Sequence, residues 1–162
     1  MAISTYAVAV GGNRRGRHGA PRDEVRAALA LLGGRASPIL DTPPLGPSIR
    51  RFANAVAIVE SDERPRALLA RLKAIERAFG RRAGRRWGTR VIDLDIVLWS
   101  GGRIESRVLT VPHAAFRTRA FVLSPLVAVA PGWRDPVTGL RVRHLHARLT
   151  RARPINRPRW TW

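Results

Sequence analysis

The sequence predicts an α+β fold in which helices pack on one face of a mostly antiparallel sheet. Three observations lead to this class. First, short apolar runs have the composition of strands; second, two amphipathic stretches of helical period lie between these runs. Third, proline or glycine separates most of these segments. The resulting order is strand, helix, strand, strand, helix, strand. That order is typical of a ferredoxin-like α/β sandwich.

Strands are expected before, between and after the helices. Their composition is rich in valine, isoleucine and alanine, and their ranges are 5–10, 36–40, 52–60 and 90–99, with a small hairpin arm at 103–106. The stretch "DTPPLGPSIRR" at 41–51 is too rich in proline for regular structure, so we expect an ordered loop there. Residues 77–86, rich in glycine and arginine, are expected to form a second loop.

Helices are predicted where apolar residues recur every three or four positions. The first begins at Pro21 and ends before Gly33, with an apolar stripe of Val25, Ala28, Leu29 and Leu32. The second opens at Asp62 and Pro65, with a stripe of Leu68, Leu72, Ile75 and Phe79. A third helical stretch at 119–131 contains Pro125, and we expect it to break there.

The length of 162 residues predicts a single domain over 1–162, with a peripheral basic tail at 151–162. The chain has no cysteine, which excludes disulfides, thiol catalysis and the usual zinc clusters. It has no apolar run near the roughly 20 residues of a membrane helix, and its N-terminus lacks a secretory signal pattern. We therefore expect a cytoplasmic protein with no membrane partner.

The charge balance is strongly basic. Thirty Lys+Arg residues oppose eleven Asp+Glu residues, a net charge of +19, and Lys73 is the single lysine. Such a chain binds either nucleic acid or a small phosphorylated ligand. Because the arginines are spread along the whole chain and lysine is nearly absent, the second partner is favoured and nucleic acid is disfavoured.

An acidic pair stands out in "RRWGTRVIDLDIVLW", residues 85–99. Alternation along a strand places Asp93 and Asp95 on one face, and places a separate set in the core: Ile92, Leu94, Ile96 and Leu98. Like charges so close raise each other's pKa unless a cation lies beside them. That cation is either a guanidinium group, from Arg86 or Arg90, or Mg²⁺, which favours one or two carboxylates plus substrate phosphate.

The segment "RWGTRVIDLDIVLW" resembles the R-W-G-P-R-x-x-D-L-D-I-x-L-[FW] signature of the 6-hydroxymethyl-dihydropterin pyrophosphokinase family. Further matches fall in the family's order along the chain: "VGGN" at 10–13, "TPPLG" at 42–46, "FANAV" at 52–56 and "VPHAAFRTRAFVLSPLVAVAP" at 111–131. The resemblance covers roughly residues 5–146. Departures from the family pattern include Thr89, Lys73 and Val108.

The resemblance implies an activity and its partners. The family transfers diphosphate from ATP to the hydroxymethyl group of the pterin in folate biosynthesis, releases AMP, uses two Mg²⁺ and is usually monomeric. By resemblance, Asp93 and Asp95 are the metal ligands, and Asp95 also assists deprotonation of the acceptor hydroxyl. Arg90 and Arg81 are the phosphate-handling groups.

The resemblance also implies two binding sites. The pterin would stack between Phe52 and Phe121, with Asn54 reading its edge, Trp87 nearby, and a backbone wall formed by Thr42, Pro43, Pro44 and Leu45. The ATP contacts would be Glu76, Arg86, Arg90, Ile96, Thr110, His113 and Arg119.

An RNA-binding module is the alternative, because the ferredoxin-like sheet also carries RNA in another large family. Such a module presents aromatic side chains on its central strands. Here the strand presents Asp93 and Asp95, which would repel a phosphate backbone in the absence of a metal ion.

Overall fold

The computed structural model describes residues 2–43, 50–80 and 91–151. Seven strands lie in this part of the chain: β1 Ser4–Gly12, β2 Arg35–Ala36, β3 Leu40–Thr42, β4 Phe52–Ser61, β5 Asp93–Trp99, β6 Ile104–Glu105 and β7 Thr110–Val111. The helices are α1 Pro21–Leu32, α2 Pro65–Ala78, α3 Ala120–Val129 and α4 Val142–Thr150, with a short 3₁₀ turn at Phe116–Thr118. The first two helices begin and end close to their predicted positions.

The main sheet has the strand order β2-β4-β1-β5, with β3 also paired to β4. All of its strand pairs are antiparallel, and β6 and β7 form a separate two-stranded ribbon. The predicted α+β class with an antiparallel sheet is therefore confirmed. The strand β1 lies between β4 and β5 and fixes how their residues align.

Helices cover both faces of the sheet rather than the one face that we expected. On one face α1 and α2 close a first core, which includes Val8, Val10, Ala55, Leu68, Leu72, Leu94 and Ile96. On the other face α3 and α4 close a second core, which includes Ala7, Val56, Phe116, Leu123, Leu126, Val142 and Leu145. The reason lies in β1 and β4, which are continuous apolar runs and so require burial on both sides.

A β-bulge interrupts β5 at Val97. Ile96 and Leu98 pair with consecutive residues of β1, so Val97 is the extra residue. Val97 and Leu98 both pack into the second core, whereas Leu94 and Ile96 pack into the first. The prediction that Leu98 shares the face of Leu94 is therefore wrong, because strict alternation stops at the bulge.

The helix α3 runs through Pro125 without a break, contrary to prediction. Proline removes one hydrogen bond to the carbonyl four residues earlier, which here lies in the first turn of the helix. Burial of Val122, Leu123, Leu126 and Val129 outweighs that loss. The helix α4 was not predicted. Among the described residues, no helix is long and apolar enough to cross a bilayer.

Candidate active site

The register of β1 brings the predicted polar residues together on one sheet face. Gly11 lies opposite Asn54 on β4 and opposite Asp93 on β5, and Ala9 lies opposite Asp95. Directly opposed residues of antiparallel strands project to the same side. The two carboxylates and the amide therefore share the face that α3 and α4 cover. Because strands are about 4.8 Å apart, the backbones of Asn54 and Asp93 are separated by about 10 Å.

A small cleft opens beside Asp95. Its lining combines apolar and charged side chains: Ala9, Asp95, Val97, His113, Phe116, Arg119 and Val122. The backbone N–H of His113 donates to the Val97 carbonyl over 3.0 Å, which fixes the start of this segment against β5. The His113 Nδ1 accepts from the Ala115 N–H over 3.3 Å. The structure thus brings three predicted residues, Asp95, His113 and Arg119, to one cleft.

The electrostatics of the cleft concentrate on Asp95. Burial raises the pKa of the Asp95 carboxyl above its ordinary value of 3.8, and the neighbouring charge of Asp93 raises it further. The charges of His113 and Lys73 lower the pKa, but they do not reverse the shift. Ionised Asp95 therefore gains stability from any additional cation.

The donor set fits Mg²⁺. Two carboxylates on one face offer the hard oxygen ligands that this ion prefers, and the rest of its shell is normally filled by water and substrate phosphate. Among the described residues no group of three or more histidine, cysteine or acidic side chains forms a complete metal cage. The pair is consistent with a metal that arrives together with a phosphate ligand.

The other end of this face carries the predicted pterin residues. The Asn54 Nδ2 donates to the Thr42 Oγ1 over 2.8 Å, and Thr42 lies opposite Phe52 in the β3–β4 pair. Asn54 is only 6% exposed. Gly11 leaves room for its amide, since a Cβ at that position would lie 2.8 Å from the Asn54 Oδ1.

Two further predicted residues, Phe121 and Arg119, lie at the start of α3. Phe121 is half-buried against the second core, and the guanidinium carbon of Arg119 lies 5.6 Å from the centroid of its ring. This geometry is that of a cation–π contact. Arg119 therefore lies between the Asp95 cleft and an aromatic ring assigned to the pterin. Pro43 follows β3 and is exposed.

Three of the residues predicted to contact ATP lie away from the cleft. Ile96 is buried in the first core on the opposite face, and Thr110 is exposed on β7. Glu76 is fully buried on α2, where its Oε1 accepts from the Leu94 N–H and from the Lys73 Nζ, both over 2.8 Å. Their predicted ATP contacts remain predictions.

Six predicted site residues lie outside the described part of the chain: Pro44, Leu45, Arg81, Arg86, Trp87 and Arg90. Their assigned roles, including the alternative in which Arg86 or Arg90 pairs with the carboxylates, remain predictions.

Sequence reasoning did not name several residues that shape the site, and three of them show why. Phe116 lines the cleft, Gly11 makes space for the amide, and Ala9 lies opposite Asp95. Phe116 falls inside the quoted 111–131 segment, so that motif could have identified it. Gly11 falls inside the quoted 10–13 segment, but its place opposite Asn54 becomes visible only when β1 is aligned with β4, and that of Ala9 only when β1 is aligned with β5.

A ferredoxin-like sheet that carries two carboxylates on one face, with Asp95, His113 and Arg119 around one cleft, is typical of an enzyme that transfers a phosphate-containing group. Comparison with known proteins gives the particular family. The model of the 7,8-dihydro-6-hydroxymethylpterin-pyrophosphokinase (HPPK) family matches residues 7–131. The chain therefore belongs to the HPPK family and is a pyrophosphokinase of folate biosynthesis.

Individual relatives agree with this assignment. The 2-amino-4-hydroxy-6-hydroxymethyldihydropteridine pyrophosphokinase of Pseudomonas aeruginosa is 40% identical over 124 residues, which are 72% of this chain and 76% of the relative. The enzyme of the same name from Haemophilus influenzae is 36% identical, over 79% of this chain and 82% of the relative.

The fold also matches a solved structure. The wild-type HPPK-DHPS of Plasmodium falciparum with pteroate superposes with a TM-score of 0.71 at 14% identity, over 91% of this chain. At this identity the match supports the fold alone, and it spans 44% of that longer chain.

Proposed function

We propose that the protein transfers diphosphate from ATP to the hydroxymethyl group of 6-hydroxymethyl-7,8-dihydropterin, releasing AMP, and that the transfer depends on Mg²⁺ held by Asp93 and Asp95. One observation carries the metal assignment: two carboxylates share a sheet face, and burial together with Asp93 raises the pKa of Asp95. Mg²⁺ bound there would neutralise charge on the transferring diphosphate.

The phosphates of the nucleotide are assigned to the mouth of the small cleft beside Asp95. His113 and Arg119 line this cleft with Asp95 and provide hydrogen-bond donors and positive charge for phosphate oxygens. Transfer of so charged a group depends mainly on positioning and charge neutralisation. We also assign proton acceptance from the pterin hydroxyl to Asp95, the aspartate that lines the cleft with His113 and Arg119.

The pterin is assigned to the end of the same face that carries Asn54. Its flat ring suits the aromatic side chains of Phe52 and Phe121, and its polar edge suits an amide that Thr42 holds over 2.8 Å. The hydroxymethyl group would then point along the face toward Asp95.

The direct test is AMP release from ATP, measured with and without the pterin alcohol and with and without Mg²⁺. We expect AMP only when all three are present. Asp95→Asn should reduce turnover by at least about 100-fold, because it removes a charge from the reacting centre. Asp62→Asn, at an exposed position before α2, is the matched control and should leave turnover unchanged. AMP release at an equal rate without pterin would contradict the assignment.

Two Mg²⁺ ions per site, a monomeric state and a cytoplasmic location complete the proposal. Metal titration under turnover, light scattering and cell fractionation test them in that order.

A further inference from the structure

The segment 113–119 carries three of the cleft residues, His113, Phe116 and Arg119, on an irregular backbone. It is held to β5 at its start by the bond from the His113 N–H to the Val97 carbonyl. Beyond that point its internal bonds are short-range: Phe116 to His113 over 3.1 Å, Thr118 to Ala115 over 3.2 Å and Arg119 to Phe116 over 3.4 Å. Bonds of this 3₁₀ type are geometrically poor. The far end of the segment is held by α3, since the N–H groups of Val122 and Leu123 donate to the Arg119 carbonyl, each over 3.0 Å. The middle of the segment gains from a further anchor, which would help to keep His113 and Arg119 in register with Asp95.

Arg117 and Asp135 provide such an anchor. The Nε and Nη2 of Arg117 donate to the two carboxylate oxygens of Asp135, each over 2.7 Å, so the pair is bidentate. Asp135 is fully buried, and it also accepts from the Thr138 Oγ1 over 2.6 Å and from the Val137 N–H over 3.1 Å. Four hydrogen bonds thus hold this carboxylate in one orientation.

The pair also acts on the cleft wall. The guanidinium carbon of Arg117 lies 4.7 Å from the centroid of the Phe116 ring, and Phe116 is fully buried and lines the cleft with Asp95. Asp135 therefore fixes Arg117, and Arg117 fixes both the adjacent backbone and the Phe116 ring. Neither Arg117 nor Asp135 lines the cleft.

We infer that Arg117 and Asp135 are positioning residues, which hold the 113–119 segment so that His113 and Arg119 can bind the nucleotide beside Asp95. This inference rests on the proposed nucleotide role of His113 and Arg119. The inference separates the two substrates, because the residues assigned to the pterin lie on regular elements outside the 113–119 segment: Thr42 on β3, Asn54 on β4, and Phe121 on α3, where it packs against the second core.

The test compares Michaelis constants for the two substrates. Asp135→Asn should raise KM for ATP by roughly 10-fold to 100-fold, since small displacements of binding groups have effects of that size, and should leave KM for the pterin unchanged. Arg117→Lys keeps the positive charge but loses the planar fork, so it should shift KM in the same direction by a smaller factor. Glu63→Gln is the matched control. It breaks an ion pair of 2.9 Å between Arg71 and Glu63, neither of which lines the cleft.

All variants are assayed below their unfolding temperatures, which circular dichroism measures. If Asp135→Asn does not fold, the Michaelis constants of Arg117→Lys provide the test. A rise in both Michaelis constants, or in neither, overturns the inference. His113→Ala and Arg119→Ala separate this failure from failure of the proposed site. If those two variants weaken ATP binding while Asp135→Asn and Arg117→Lys do not, the positioning role alone is wrong. If His113→Ala and Arg119→Ala bind ATP normally, the proposed nucleotide site fails and the inference fails with it.

Discussion

At Gly11 the sheet has no room for a side chain, and we expect this to matter for pterin binding. A Cβ there would lie 2.8 Å from the Asn54 Oδ1, and Asn54 is buried and bonded to Thr42. Gly11→Ala should displace the amide and reduce kcat/KM for the pterin by roughly 10-fold, the equivalent of one lost hydrogen bond. KM for ATP should not change. Steady-state kinetics with each substrate varied in turn provides the measurement.

The control for this substitution is Gly132→Ala, because a Cβ at Gly132 meets nothing within 4 Å. Equal kinetic effects at the two glycines would show that the Asn54 amide does not read the pterin.

Asp95 and Asp135 should respond to pH with opposite signs. The pKa of Asp95 is raised by burial and by Asp93, so the folded state favours its neutral form, and stability falls as the pH rises through that pKa. Burial opposes ionisation of Asp135 too, but hydrogen bonds from Arg117, Thr138 and Val137 lower its pKa to about 2. Its stabilising contribution is therefore present above the ordinary value of 3.8 and is lost as the pH falls toward about 2.

Thermal unfolding without Mg²⁺ tests this contrast. At neutral pH, Asp95→Asn should raise the midpoint temperature, where about 3 °C corresponds to about 1 kcal/mol, and Asp135→Asn should lower it. Near pH 3 the gain from Asp95→Asn should vanish, since Asp95 is then protonated in the folded and unfolded states alike. Stabilisation by Asp95→Asn that persists at low pH would point to a cause other than the buried charge.

Local pattern predicts some of these residues and not others. The common face of Asp93 and Asp95 follows from the two-residue period of a strand. The positions of Ala9 and Gly11 depend on how β1 aligns with β5, which no local pattern encodes. Arg117 and Asp135 are eighteen residues apart in the sequence, and their contact arises only when the 133–140 loop folds back beside α4.

Among the elements, β5 receives a side-chain clamp from α2. The Glu76 Oε1 accepts from the Leu94 N–H over 2.8 Å, and the Lys73 Nζ donates to the Leu94 carbonyl over 3.3 Å and to Glu76 over 2.8 Å. These bonds satisfy backbone groups on the side of β5 that faces away from β1. The clamp thus fixes the two peptide units that flank Leu94 and join it to Asp93 and Asp95.

Removing the clamp should destabilise the fold. Glu76→Leu leaves the buried Leu94 N–H and the Lys73 ammonium without their partner, so the free energy of unfolding should fall by about 2–3 kcal/mol. Lys73→Gln keeps a donor for both acceptors, and we expect a loss of about 1 kcal/mol or less. Urea denaturation measures both values. If the two variants lose the same stability, Glu76 does not act as the main anchor of β5.

The elements that sequence reasoning predicted well are those with a complete local signal. Helices α1 and α2 begin at proline and carry regular apolar stripes, and both begin and end close to the predicted residues. The continuity of α3 and the bulge in β5 depend on packing against the second core, which outweighs the local effect of Pro125 and of strict alternation. Tertiary burial decides such cases.

For the whole molecule, the fold places part of the net charge of +19 at one end of the sheet. Several exposed arginines follow β1 or precede β4, at the sheet end where the site lies: Arg14, Arg15, Arg17, Arg50 and Arg51. Positive charge around a cleft raises the local concentration of anionic ligands. The sequence alone shows the excess of arginine, but only the antiparallel order of β4, β1 and β5 places these residues around one site.

This arrangement predicts a selective effect of salt on the two substrates. ATP is anionic and the pterin is uncharged, so raising the ionic strength from about 50 mM to about 500 mM should raise KM for ATP several-fold and leave KM for the pterin unchanged. Varying potassium chloride at constant free Mg²⁺ provides the measurement, with Arg14→Ser/Arg15→Ser as a variant whose ATP response to salt should be flatter. The same titration examines the RNA-binding alternative, because binding through phosphate contacts alone weakens steeply over this range. Two results together would contradict this prediction: oligonucleotide binding that stays tight at physiological salt, and a KM for ATP that does not change with salt. They would show that the basic surface binds nucleic acid and does not steer ATP.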